Sequence, residues 1–481
     1  MGLALCGAAA QAQEKPNFLI IQCDHLTQRV VGAYGHTQGC TLPIDEVASR
    51  GVIFSNAYVG CPLSQPSRAA LWSGMMPHQT NVRSNSSEPV NTRLPENVPT
   101  LGSLFSESGY EAVHFGKTHD MGSLRGFKHK EPVAKPFTDP EFPVNNDSFL
   151  DVGTCEDAVA YLSNPPQEPF ICIADFQNPH NICGYVGENK GEHIDSPIST
   201  PLPLLPENFE VEDWEKLPLP IQYICCSHRR MMQAAHWNED NYRHYVAAFQ
   251  HYTRIVARQI ESVLEALYST PAGKNTIVIV LADHGDGMGS HRMVTKQVSF
   301  YEEMTNVPFI IAGPGIHPRQ KPVEDLLTQP TIDLLPTLCE LAGIPVPSSK
   351  PGISLAPFLK GEKQKRQHPY AASEWHSEYE VTVSPGRMIR SPRYKYTHYL
   401  EGNGEELYDM LKDKGERRNL AHDPKYSKIL AEHRALLDDY IRRTQDDYRS
   451  LKVEADKRWR SHAPGYPNHE GPCARDIINR K

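Results

Sequence analysis

Residues 276–286 read TIVIVLADHGD: seven residues, Thr276–Ala282, without polar alternation, running straight into Asp283-His284-Gly285-Asp286. Such a run suits a strand buried on both faces, and a polar tetrad beyond its carboxyl end suits a site-forming loop of an open α/β sheet. Asn17–Cys23 (NFLIIQC) has the same character and runs into Asp24-His25. Tyr110–Gly116 precedes Lys117 and His119, and Phe170–Asp175 precedes Asn178-Pro179-His180. Gly51–Tyr58 and Val307–Ala312 are further strands. Between strands the apolar spacing becomes helical. In Asn241–Tyr268 it marks one face with Tyr242, Tyr245, Phe249, Val256, Ile260 and Leu264, and Thr41–Arg50, Pro99–Ser108 and Thr331–Ala342 are shorter helices. The alternation predicts an α/β fold with a mostly parallel central sheet flanked by helices. Segments 120–150 and 178–240, rich in Pro, Gly, Asn and charge, read as long ordered excursions outside the core.

Beyond about residue 365 the texture changes. Tyr394–Leu400 alternates aromatic and polar residues, and Glu406–Met410 follows Gly402-Asn403-Gly404, as in an antiparallel hairpin. Tyr426–Ser450 is helical and polar. The division expected is 1–12 an export signal, 13–365 the catalytic α/β domain, and 366–481 a smaller α+β subdomain with an antiparallel sheet and an irregular tail.

The 481 residues carry 49 Lys+Arg against 58 Asp+Glu, a formal charge of −9. This balance argues against a nucleic-acid-binding protein but not against a local cationic pocket for an anion. No run reaches the length of a membrane-spanning helix. Eleven cysteines at uneven spacing form neither a disulfide framework nor a zinc pattern. Residues 1–12 (MGLALCGAAAQA) end in Ala10-Gln11-Ala12, like a signal-peptide cleavage site, though the basic leading region is missing. This makes a periplasmic or secreted location the expectation.

The polar groups after four distant strands would meet at one sheet edge, where carboxylates, Lys and His could bind a divalent cation and an anion together. Each alone has a bland explanation as ordinary loop polarity. Residues 61–74 read CPLSQPSRAALWSG, a loop entering a short helix over Ser67–Ser73, with Ser64 just ahead of the helix N-terminus, where negative charge is favoured.

Ser64-Gln65-Pro66-Ser67-Arg68, with Leu71 and Ser73-Gly74, resembles the signature of the type I sulfatases, members of the alkaline-phosphatase superfamily. The resemblance extends through Gly109-Tyr110 to Lys117 and His119, Asn178-Pro179-His180, Asp283-His284-Gly285, and Lys296 ahead of Phe300-Tyr301-Glu302-Glu303. Glu406-Leu407-Tyr408-Asp409 and 415–420 (GERRNL) resemble the family's C-terminal part, so the likeness runs from 17 to about 440. One departure is Asp24-His25 where the family often has paired aspartates. His25 is therefore open as a metal ligand, a supporting residue or a substrate contact.

The resemblance implies that Ser64 is oxidised by a maturation enzyme to Cα-formylglycine. It also implies that Asp24, Asp283, His284 and the modified Ser64 hold Ca2+, with Mg2+ the alternative; oxygen-rich ligation suits these ions. It further implies a sulfo-enzyme intermediate. Lys117 and Lys296 would bind the sulfuryl oxygens, His180 would protonate the leaving oxygen, and His119 would assist breakdown. Arg68 would hold the formylglycine. His25, His291, His376, Arg387 and His398 are candidate substrate contacts. Within the family the chain is most similar to bacterial exo-acting uronate-2-O-sulfatases. This makes the expected substrate the unsaturated uronic acid at the non-reducing end of heparin, heparan or chondroitin sulfate fragments. The rivals are a sulfatase for another position, such as a 6-O-sulfated hexosamine, or a phosphodiesterase or phosphonate hydrolase on the same fold.

Overall fold

The computed structural model describes residues 15–37, 40–85, 93–137, 146–189, 201–210, 216–227, 229–296, 299–364, 366–376 and 385–451. The expected export signal over 1–12 and the tail beyond 451 lie outside the described residues. In chain order the strands are β1 Asn17–Cys23, β2 Gly51–Ala57, β3 Glu111–Gly116, β4 Lys128–Lys130, β5 Lys135–Phe137, β6 Asn146–Phe149 and β7 Phe170–Phe176. They continue as β8 Thr276–Ala282, β9 Phe309–Ala312, β10 Val323–Thr328, β11 Ala371–Trp375, β12 Gly386–Arg390, β13 Tyr394–Tyr399 and β14 Gly404–Asp409.

Eight strands form one sheet in the order β10-β2-β9-β8-β1-β7-β3-β4. All pairs are parallel except those made by β9, which runs antiparallel to both β8 and β2. β1, β7 and β8 are buried at every residue, as their unbroken apolar sequences require. Leu19, Ile21, Cys172, Ala174, Val278 and Val280 face a core with the helices Glu239–Tyr268 and Leu150–Ser163. Phe18, Ile20, Ile171, Ile173, Ile277 and Ile279 face the opposite one with the helices Ser64–Ser73, Leu101–Glu107 and Pro330–Ala342.

Three expectations are corrected. The helix expected over Ser67–Ser73 begins at Ser64, so Ser64 is its first residue rather than a flanking one. Pro66 falls in the first turn, where its missing N–H costs nothing. Segment 120–150 is not wholly an excursion, because β4 adds to the sheet edge beside β3. Segment 178–240 holds the short helices Ile182–Glu188, Leu219–Ser227 and Arg229–Gln233, which send Ile182, Val186, Ile221, Ile224 and Met231 into the core. Each is too short for its period to stand out.

The C-terminal strands form an antiparallel sheet, β11-β12-β13-β14. The helix Ser427–Thr444 packs on it through Leu430, Leu437 and Tyr440. A buried contact ties this part to the larger sheet's flank. His78 Nδ1 donates to Glu374 Oε1 at 2.6 Å and Nε2 donates to the Thr444 carbonyl at 3.1 Å. Both partners are acceptors, so the imidazole is charged. Burial opposes the charge, but Glu374 outweighs it and raises the His78 pKa. Burial alone would raise Glu374 too, yet His78 and Arg387 hold it at about 2. A depressed carboxylate contributes stability above its usual 4.5, lost as pH falls toward about 2. A raised imidazole contributes below its usual 6.5, lost as pH climbs through its higher folded value. His78→Gln is therefore expected to destabilise by ~3 kcal/mol between those two pH values and by less on either side. Urea midpoints of both proteins across pH check this, and a pH-independent gap contradicts it.

Candidate active site

The carboxyl ends of β8, β1, β7 and β3 are adjacent and point the same way. They deliver Asp283-His284, Asp24-His25, Asp175 with Asn178-Pro179-His180, and Lys117 to one edge. The Ser64–Ser73 helix brings Ser64 and Arg68 to the same point, and the Ser67 hydroxyl ties it to the Asp283 carbonyl at 2.6 Å. Two glycines allow the close approach. A Cβ on Gly116 (φ 110°) would lie 2.0 Å from the Asp175 carbonyl oxygen, and one on Gly285 would lie 1.9 Å from that of Glu303.

Ser64 is wholly buried, and its Oγ lies 2.9 Å from His284 Nε2, 3.4 Å from Lys296 Nζ and 3.5 Å from Asp24 Oδ1. Arg68, equally buried, is the hub beneath it. Nε donates to Asp283 Oδ2 at 2.8 Å, one terminal nitrogen donates to Asp175 Oδ2 at 2.6 Å, and the other lies 3.5 Å from Asp24 Oδ2. Lys117 pairs with Asp24 from the pocket side. Burial opposes charge on Asp24, but Lys117, Lys296 and Arg68 outweigh it and keep the carboxylate ionised.

The donor set fits a divalent cation. Asp24 Oδ1 lies 3.5 Å from His284 Nε2 and 3.8 Å from His25 Nε2, and Asp283 Oδ1 lies 4.0 Å from His284 Nε2. Ligands about 2.3 Å from one hard cation sit roughly 3–4 Å apart. The structure thus brings Asp24, Ser64, Asp283 and His284 close together. The side-chain charges of Asp24, Asp175 and Asp283 are matched by Arg68, Lys117 and Lys296.

A pocket of about 470 Å³ opens over Ser64, lined among others by Lys117, His119, Gln177, His180 and Lys296. Burial, then Lys296 and Lys117, push His180 well below its usual pKa. Burial and Lys117 push His119 to about 3. Both rings are neutral in the substrate-free pocket.

The remaining candidates lie elsewhere among the described residues. His291 stacks on Tyr301, with ring centroids 4.0 Å apart. His398 bonds Tyr448 and Asn403 on the C-terminal sheet. Arg387 makes a bidentate pair with Asp446 at 2.6 and 2.9 Å. His376 lines a separate notch with Cys61, His78 and Arg83.

Two supporting residues were not foreseen. Asp175, the partner of Arg68, ends an apolar strand like Asp24 does and carried that signal. Asp151, at the start of the Leu150–Ser163 helix, carried none. Its carboxylate accepts from the Gln177 and Asn178 backbone N–H groups at 2.6 and 2.9 Å and from the Asn178 amide at 2.7 Å. This fixes the turn that presents His180.

The pattern of the family described as Sulfatase matches residues 16–344, and that described as N-sulphoglucosamine sulphohydrolase, C-terminal, matches 289–443. The chain is 84% identical over 481 residues, all of both chains, to a delta 4,5-hexuronate-2-O-sulfatase of Bacteroides thetaiotaomicron. It is 26% identical to the choline-sulfatase of Rhizobium meliloti, over 85% of this chain and 83% of that one. A solved structure described as a 2-O GAG sulfatase superposes with TM-score 0.92 at 83% identity, covering 96% of this chain and 100% of that one. The phosphonate monoester hydrolase of Agrobacterium radiobacter, at 20% identity, covers 92% of this chain and 99% of that one with TM-score 0.72, a likeness of fold.

Proposed function

Because the chain belongs to the sulfatase family, and so is a sulfuric ester hydrolase, we propose that it removes the 2-O-sulfate from the unsaturated uronic acid ending glycosaminoglycan fragments. One observation carries the position: full-length 84% identity to a hexuronate-2-O-sulfatase.

Members of the family generally use a metal ion and a formylglycine. Here Asp24, Asp283, His284 and position 64 would hold the ion, which the three oxygen donors suit to Ca2+. When present, the ion supplies charge stabilisation, and the formylglycine made from Ser64 supplies a hydrated aldehyde in place of a plain alcohol. The side chains perform the rest. Lys117 and Lys296 face the sulfuryl oxygens, where charge builds in the transition state. Arg68 holds Asp24 and Asp283 in place. The negative charge of the bound ester offsets the lysines' effect on His180, letting the ring carry the proton that the departing sugar oxygen takes. His119, also lining the pocket, serves the breakdown step.

Because Ser64 is fully buried, the maturation enzyme must reach it before the chain closes. Export to the periplasm, suggested by residues 1–12, places the reaction after polysaccharide uptake. The test is a desulfation assay on unsaturated disaccharides that differ only in sulfate position, with a phosphonate monoester alongside. Release from the 2-O position is expected. Release from the 6-O or N position but not the 2-O position overturns the assignment. A peptide spanning Ser64 should weigh two hydrogens less than its sequence implies.

A further inference from the structure

His25 occupies the left-handed region, φ 73°, a conformation that costs a non-glycine residue stability. Its ring nitrogens both have partners: Nδ1 lies 3.2 Å from Asp286 Oδ2 and Nε2 lies 2.8 Å from Lys296 Nζ. An ammonium only donates. Nε2 therefore accepts, and the ring's single proton sits on Nδ1, given to Asp286. The other oxygen of Asp286 accepts from the Tyr245 hydroxyl at 2.5 Å and the Met288 N–H at 2.9 Å. Tyr245 in turn accepts from the Thr295 N–H at 2.8 Å, so its own proton is committed to Asp286. All these groups are buried. Every donor and acceptor is thus assigned from the Thr295 backbone to Lys296, whose Nζ lies 3.4 Å from Ser64 Oγ.

We propose that Asp286 is a positioning residue: by fixing the tautomer of His25 it aims Lys296 at position 64 and at the sulfate bound there. The inference rests on the sulfatase reading but not on which sulfate is removed. It also gives the residue after Asp24 a role, since the Nε2 of His25 takes a hydrogen bond from Lys296.

Asp286→Asn is the informative change. Oδ1 meets two donors, so the amide oxygen must stay there and the NH2 group must turn toward His25. Nδ1 then has to accept, the proton moves to Nε2, and it confronts the Lys296 ammonium. Affinity for inorganic sulfate, measured by calorimetry, is expected to fall about tenfold. The kcat/KM for whichever sulfate ester the wild type cleaves is expected to fall about 10–100-fold. The rise in Tm caused by calcium is expected to match the wild type. Lys296→Ala should lose sulfate affinity as well, and adding Asp286→Asn to it should cost nothing more, because the two act through one group. A further loss in the double variant overturns the proposal. So does a diminished calcium effect with sulfate affinity intact, which would make His25 a ligand of the cation. If Asp286→Asn does not fold, Tyr245→Phe removes the hydroxyl that donates to Asp286 and accepts from the Thr295 N–H. It should weaken sulfate binding about fivefold, and unchanged binding overturns the inference. Loss of 2-O selectivity with these results intact would refute only the substrate assignment.

Discussion

Arg68→Ala is expected to destabilise the protein by about 3–5 kcal/mol and to abolish turnover in whatever fraction still folds. The guanidinium is fully buried and faces three carboxylates, Asp24, Asp175 and Asp283, each also buried. Those carboxylates hold its pKa above the ordinary value despite the burial. Removing it leaves anions facing one another without water. They must then take up protons or pull the strand ends apart, and either outcome spoils the donor set for a cation. Arg68→Lys tests the geometry separately. It restores one charge but not the fork, so it should recover part of the stability and little of the activity. Denaturant midpoints together with sulfate release decide this. An Arg68→Ala protein within 1 kcal/mol of wild type would mean the carboxylates are balanced by something else.

Ser64→Ala is expected to lower turnover at least ~10⁴-fold, the scale seen when a nucleophile is lost, while leaving the unfolding midpoint within about 1 kcal/mol. The side chain is small, and its neighbours keep other partners, His284 with Asp24 and Lys296 with His25. The variant should still bind sulfate, because Lys117 and Lys296 remain. Turnover within tenfold of wild type would move the nucleophile to another residue.

The strands that carry the site were legible because their burial on both faces leaves an unbroken apolar run ending in a charged or polar residue. The same pattern exposed Asp24, Asp283 and Lys117. What was hidden is long-range. Asp151 sits 27 positions before Asn178, in a helix whose spacing gave no hint that its first turn would cap a distant loop. The two bonds of Asp286 to His25 and Tyr245 join residues 261 and 41 positions apart, and no local pattern encodes such a pair. The three-residue strand β4 is exposed throughout, so it lacked the apolar signature that marks its neighbours. The start of the Ser64 helix was misjudged because Pro66 looks like a breaker, although a first turn accepts it.

Asp24, Asp175, Asp283 and Lys117 sit at the ends of four adjoining strands of the eight-stranded sheet, and the helix carrying Ser64 and Arg68 is pinned to them. Those strands have almost no route to water short of the whole domain coming apart, so their amide protons belong to the slowest-exchanging class. Catalytic competence and cooperative unfolding are therefore one event, and the machinery has no partly melted working state. The outer loops, free of that constraint, can vary to suit different sugars without loosening the chemistry beneath them.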